Sequence, residues 1–182
     1  SYNGKSIEQI NLMKGRKHKA TEEALTVIDI MMAGGASAVF HGMGEEDVKR
    51  IMQYPFNMFA SDASIRVLNA GMPHPRGYGT NARVLGKYVR EEKVITLEEA
   101  IRRMTSLPAQ KFQLSDRGIL KEGMAADIVI FDEKEVKDMA TFEKPHAFSK
   151  GFHYVIVNGV ITAENEKHLG VRAGKALYHI SQ

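Results

Sequence analysis

Apolar residues recur at helical spacing through the first part of the chain and at strand spacing through the last. Ser6-Ile-Glu-Gln9 is a capping box, and the helix it opens turns Ile7, Ile10 and Met13 inward and ends near Gly15. A second helix runs from Ala20 to Ala33, with Leu25, Ile28 and Met32 along one stripe and Val27 and Met31 beside it, and Gly34-Gly35 closes it. Ala36 to Phe40 reads as a short buried strand, residues 44–53 as a helix with Val48, Ile51 and Met52 inward, and Phe56 to Ala60 as a second buried strand. A strand-helix-strand order of this kind predicts parallel strands joined by a right-handed crossover.

A Gly/Pro-rich loop follows the second strand through residue 80, and Gly77 and Gly79 are expected to give it backbone freedom. Val84, Leu85, Tyr88 and Val89 form the next helix face. Thr96-Leu-Glu-Glu99 is another capping box, with Leu97, Ala100, Ile101 and Met104 inward and Pro108 as the stop. The character then changes. Short β-rich runs divided by glycine lead to a strand at Asp127–Phe131, and His153–Val157, Asn158-Gly159 and Val160–Ala163 spell a hairpin with a type I′ turn. The chain therefore reads as an α/β part, residues 1–115, and a small β part, residues 116–182. A β part with so few strands needs partner strands from elsewhere.

Composition narrows the possibilities. The chain has 182 residues, a net charge of +3 and no cysteine. Its Lys and Arg residues are scattered, apart from the run KGRKHK at 14–19, which reads as a solvated linker; no basic stripe points to nucleic acid. The absence of cysteine excludes disulfides and thiolate metal sites and fits the reducing cytoplasm. No apolar run approaches the roughly 20 residues that span a bilayer, and the first residues lack a signal-peptide core. The first residue is not Met, as expected of a fragment or processed piece.

The candidate chemistry gathers at residues 56–83. A carboxylate, Asp62, stands at the tip of an expected buried strand, and the loop beside it carries His74 and Arg76. α/β barrels keep their catalytic groups at such strand ends. Read from the residues alone, Asp62 is sooner a strand-end residue bonded to local amides and Arg76 a surface loop arginine, while His41 is either a ligand or substrate contact or, as is commoner, a histidine bonded to backbone.

The segments HGMGEEDVKRIM (41–52), FASD (59–62), HPRGYGTNARVLGKYVREE (74–92), LEEAIRRMTSLPA (97–109), DRGILKEGMAADIVIFD (116–132) and ATFEKPHAFSKGFHYVIVNGV (140–160), in this order, resemble the C-terminal portion of the N-acyl-D-amino-acid deacylases of the amidohydrolase superfamily. EGMAADIVIFD marks only the superfamily; the segments at 74–92 and 140–146 mark the deacylase branch. The resemblance implies the last strands and helices of a metal-dependent (β/α)8 barrel plus the C-terminal half of a small β-sandwich. It implies hydrolysis of N-acyl-D-amino acids with one or two zinc ions, most of whose ligands, an HxH motif among them, are absent here. Asp62 is then a metal contact and the general base that moves a proton from the attacking water to the leaving amine. Arg76 binds the substrate α-carboxylate through paired hydrogen bonds, and His74 belongs with it to the substrate-binding loop, which it shapes rather than reacting itself. Two departures bear on the pocket's shape: Ala63 follows the aspartate where the family has glycine, and the loop from Asp62 to Arg76 is longer. The expected partner is an upstream barrel segment or a second copy of the chain, and the 182 residues alone are expected to be inactive. Two rivals stand: an amidohydrolase acting on cyclic or other amides, and a non-catalytic fragment that self-associates through open sheet edges.

Overall fold

The computed structural model describes residues 1–178. Helices α1 (Ile7–Met13) and α2 (Ala20–Met32) form a hairpin. The capping box at Ser6 is complete, with the Ser6 hydroxyl accepting the Gln9 N–H at 3.1 Å and the Gln9 side chain accepting the Ser6 N–H at 2.9 Å. What joins the two helices is polar: Thr26, fully buried, donates to Asn11 Oδ1 at 2.8 Å and accepts from Arg16 at 2.8 Å. The expected apolar stripe of α2 faces solvent instead, with Leu25, Ile28, Met31 and Met32 exposed. The basic run is tied down within the chain: Lys14 and Arg16 pair with Asp29, and His18 with Glu8 and Glu23.

The expected strands at 36–40 and 56–60 do not form among the described residues; 36–40 and 57–60 are irregular, without a ladder, and Phe56 lies in a turn. Phe40 and Phe56 are exposed. A parallel strand gets its hydrogen bonds only from neighbours on each side, and here those neighbours are lacking. Helix α3 (Glu45–Met52) lies between the two segments, with Met52 buried but Ile51 exposed.

Helix α4 (Arg76–Arg83) begins inside the expected loop and runs directly into a π-helical segment, Val84–Glu91. Helix α5 (Leu97–Met104) follows. Its cap is half of the expected box: Thr96 accepts the Glu99 N–H, while the Glu99 carboxylate turns to Arg102 and Arg103. Pro108 does not end this helix. The break comes at Thr105, and Pro108 sits in the first turn of α6 (Ser106–Lys111), where its missing N–H costs nothing.

The β part is an antiparallel sheet in the order β1-β2-β3-β4: β1 Ile128–Phe131, β2 Phe152–Val157, β3 Val160–Glu164 and β4 Lys167–His168. Ile128 pairs with Ile156, and Ile156 with Ile161. Asn158 and Gly159 take φ of +48° and +80°, the left-handed pair that a type I′ turn requires.

One core serves helices and sheet. Met52, Ala82, Val84, Leu85, Tyr88, Ala100 and Val136 are buried together, and Phe59, Ile101, Phe131 and Phe152 pack against them. Val136 sits on the turn after β1, against Gly151 at the entry to β2. Gly151 has φ +81°, and a Cβ there would lie 2.5 Å from the Val136 nitrogen. This close approach locks the sheet to the helices that carry the site.

Candidate functional site

The chain reaches the site through a held segment. As it leaves α3, Arg103 donates to the Met52 carbonyl and Arg102 to the Pro55 carbonyl at 2.9 Å. Both arginines are aligned by Glu99, which accepts from each at 2.7 Å and lies well below the usual carboxylate range, at about 2, because of those hydrogen bonds from Arg102 and then Arg103. The segment runs on to Asp62, whose φ of +47° is left-handed, a conformation Asp tolerates better than most residues.

Asp62 and Arg76, singled out separately in the sequence, meet. Arg76 Nη2 lies 2.7 Å from Asp62 Oδ2, with the Asp62 side chain 86% exposed and that of Arg76 44% exposed. The guanidinium is thus accessible and already takes a carboxylate. Ion pairs this open are worth only about 0–1 kcal/mol, so another carboxylate can exchange for Asp62 at small cost.

His74 bonds to the start of α4: its Nδ1 accepts the Arg76 N–H at 3.0 Å. Burial, with Arg76 and His41 adding, holds its pKa below the usual imidazole range, which favours the neutral ring this bond needs. Gly77 and Gly79 are helical, not flexible loop residues. Gly79 serves a close approach, since a Cβ there would lie 2.9 Å from Asp138 Cβ.

Three residues that sequence reasoning did not single out complete the surroundings. Phe142 packs edge-on against His41 and His74, with ring centroids 4.6 and 5.1 Å apart. Tyr78 and His146 are joined at 2.9 Å through the hydroxyl and Nδ1. Phe142 and His146 both belong to ATFEKPH, so the signal was present as a motif without a role. His41 is placed in this aromatic contact.

Asp62 offers a hard oxygen donor suited to a divalent metal, but tetrahedral zinc takes four ligands. Among the described residues there is no group of three or more His, Asp or Glu side chains that could hold a metal ion. The residues present therefore fit a single ligand of a larger set. Also among the described residues, no helix is long and apolar enough to cross a membrane. A charged hollow of about 540 Å³ lies between α3 and the end of the π-helical segment, lined by Glu46, Lys49, Arg50 and Lys93, and includes none of the residues above.

Comparison with known proteins decides the family. Residues 9–163 match the model of the amidohydrolase family. The chain belongs to that family. It is 46% identical over 124 residues to an N-acyl-D-glutamate deacylase of Alcaligenes xylosoxydans xylosoxydans, covering 68% of this chain and 25% of that protein. It superposes on the crystal structure of a D-aminoacylase with a TM-score of 0.79 and 37% identity, over 92% of this chain and 33% of that one. It also superposes on the N-acyl-D-glutamate deacylase of Bordetella bronchiseptica, solved with zinc and a phosphonate inhibitor mimicking the tetrahedral intermediate. There the TM-score is 0.75 and the identity 36%, over 88% of this chain and 33% of that one. This amidohydrolase chain thus spans about a quarter to a third of the length of these relatives.

Proposed function

We propose that these 182 residues are the C-terminal portion of a zinc-dependent N-acyl-D-amino-acid deacylase. Residues 1–115 form the last part of its barrel and 116–182 part of its β-sandwich. Zinc, one ion or two, is held chiefly by residues of an upstream segment, with Asp62 as the ligand contributed here. The observation that carries the reading is the meeting of Asp62 and Arg76 at one accessible point, in a chain similar over most of its length to D-aminoacylases. The unpaired segments at 36–40 and 56–62 and the bare apolar face of α2 support it, since each is suited to packing against further barrel elements.

Bound zinc supplies Lewis-acid activation of the water and of the amide carbonyl. Asp62 does the proton work: it takes the proton released as water attacks and returns it to the departing nitrogen, so that amide becomes carboxylate and free amine. Arg76 grips the α-carboxylate with its planar fork, fixing both charge and orientation. His74 holds the first turn of α4 so that Arg76 faces Asp62. Preference for the D-substrate follows from the relatives.

The test is the Michaelis constant of Arg76→Ala in the zinc-loaded enzyme. Loss of a charge-assisted carboxylate contact, worth about 1.5–3 kcal/mol, raises KM for N-acyl-D-amino acids by roughly 10- to 150-fold. An unchanged KM would favour an amidohydrolase whose substrate carries no carboxylate at this position.

A further inference from the structure

We propose that His146 is a positioning residue for Arg76 and so sets the grip on the substrate carboxylate, an inference that rests on the carboxylate-binding role of Arg76. The imidazole ties together the chain on both sides of that arginine. Its Nδ1 accepts the Asn69 backbone N–H at 3.3 Å and lies 2.9 Å from the Tyr78 hydroxyl; its Nε2 lies 3.1 Å from the Gly71 carbonyl oxygen. A carbonyl only accepts, so Nε2 carries the proton and donates. Nδ1 then carries one in-plane lone pair, which the Tyr78 hydroxyl at 2.9 Å and the Asn69 N–H at 3.3 Å share. One neutral tautomer satisfies all three contacts, and neither the other tautomer nor the cation does so.

The placement gives these bonds their consequence. Asn69 and Gly71 lie in the loop ahead of Arg76, and Tyr78 lies in the first turn of α4 after it. His146 therefore clamps the two ends of the turn that presents the guanidinium. The segment around it reinforces the clamp. Ser149 Oγ donates to the Tyr78 carbonyl at 3.0 Å, and His146 and Phe148 pack edge-on against the Tyr78 ring at 5.5 and 5.7 Å. Phe142, four residues before His146, packs edge-on against the His74 ring at 5.1 Å. The segment is itself anchored: Pro145 is buried, and Lys150 and Lys137 exchange backbone hydrogen bonds of 2.9 and 3.2 Å. A paired grip on a carboxylate demands a fixed guanidinium plane, and a shift near 1 Å degrades it.

The experiment compares two substrates in the zinc-loaded holoenzyme: an N-acyl-D-amino acid and the N-acyl amine that lacks its α-carboxylate. His146→Ala and Tyr78→Phe each raise KM for the amino acid by about tenfold or more, the size typical of lost outer-shell support, and leave kcat within about threefold. Neither changes kcat/KM for the amine. His146→Asn, whose Oδ1 can replace Nδ1 as acceptor, recovers part of the loss. Tyr78→Phe removes one bond and no packing, so it reports even where His146→Ala fails to fold. If Arg76→Ala raises KM but Tyr78→Phe and His146→Asn match the wild type, the positioning role is overturned and the carboxylate reading stands. If Arg76→Ala also leaves KM unchanged, both fall together. Equal loss on both substrates means a structural role only and overturns the inference. Nitrogen-15 spectra of the imidazole provide a readout independent of turnover: a proton on Nε2 is expected, and one on Nδ1 refutes the clamp.

Discussion

Replacing Arg103 by Met tests whether the approach to Asp62 is held by buried charge. Arg103 is only 2% exposed. Its guanidinium donates to the Met52 carbonyl, where α3 ends, and to Glu99 at 2.7 Å. Met keeps the stem's bulk and removes both donors. A well-packed apolar replacement of an entire buried ion pair is often neutral or stabilising. Here only one partner goes. The carbonyl of Met52, itself 5% exposed, is left without this donor, which costs about 1–3 kcal/mol. Glu99 adds less, because Arg102 still holds both its oxygens at 2.7 and 2.8 Å. The net expectation is a loss of about 2–3 kcal/mol, which for a chain of this size lowers Tm by roughly 5–10 °C. Urea unfolding of Arg103→Met, Glu99→Gln and the double variant measures the loss and its coupling. Arg103→Met at wild-type stability would show that the arginine is only packed stem and refute the reasoning.

The Glu99 cluster also gives a pH signature. Its folded pKa of about 2 lies below the ordinary 4.5, so its stabilisation is fully present above that value and is lost as pH falls through 4.5 toward 2. Urea midpoints between pH 6 and pH 2.5 should fall more steeply in the wild type than in Glu99→Gln; parallel curves would count against the cluster. Gly151→Ala combines left-handed strain of about 1–2 kcal/mol with overpacking against Val136 of about 1–3 kcal/mol. A destabilisation of about 2–5 kcal/mol is expected in thermal unfolding, and a neutral outcome would mean that the turn at Val136 yields easily.

Local signals were legible where one short stretch decides the outcome. The Ser6 capping box is complete, and Asn158-Gly159 makes the expected turn, because each needs only neighbouring residues. The Thr96 box is halved because Glu99 has better partners than a backbone N–H, two arginines one turn ahead. The start of α4 at Arg76 was hidden by Gly77 and Gly79, which look like loop residues; both are helical, and Gly79 serves a close approach to Asp138. The two-residue strand β4 escaped notice because Lys167 and His168 are polar and exposed; it follows from Asn165 and Glu166 turning with φ of +46° and +67°. The expected strands at 36–40 and 56–60 show the opposite limit. Their apolar composition suits burial between neighbours, and without a paired neighbour no composition makes a ladder. At the site, the separate reading of Asp62 and Arg76 anticipated residues that meet, whereas the His146 clamp depends on three contacts distant in sequence and no local pattern spells it.

The central claim is that Asp62 moves the proton in hydrolysis of an N-acyl-D-amino acid. Its most direct test is kcat for the zinc-loaded enzyme and its Asp62→Asn variant on matched N-acyl-D- and N-acyl-L-amino acids. The account predicts turnover of the D-substrate, little of the L-substrate, and a fall in kcat of about 10²–10⁴-fold in Asp62→Asn with KM nearly unchanged. Full activity of Asp62→Asn, or hydrolysis confined to cyclic amides, would contradict it.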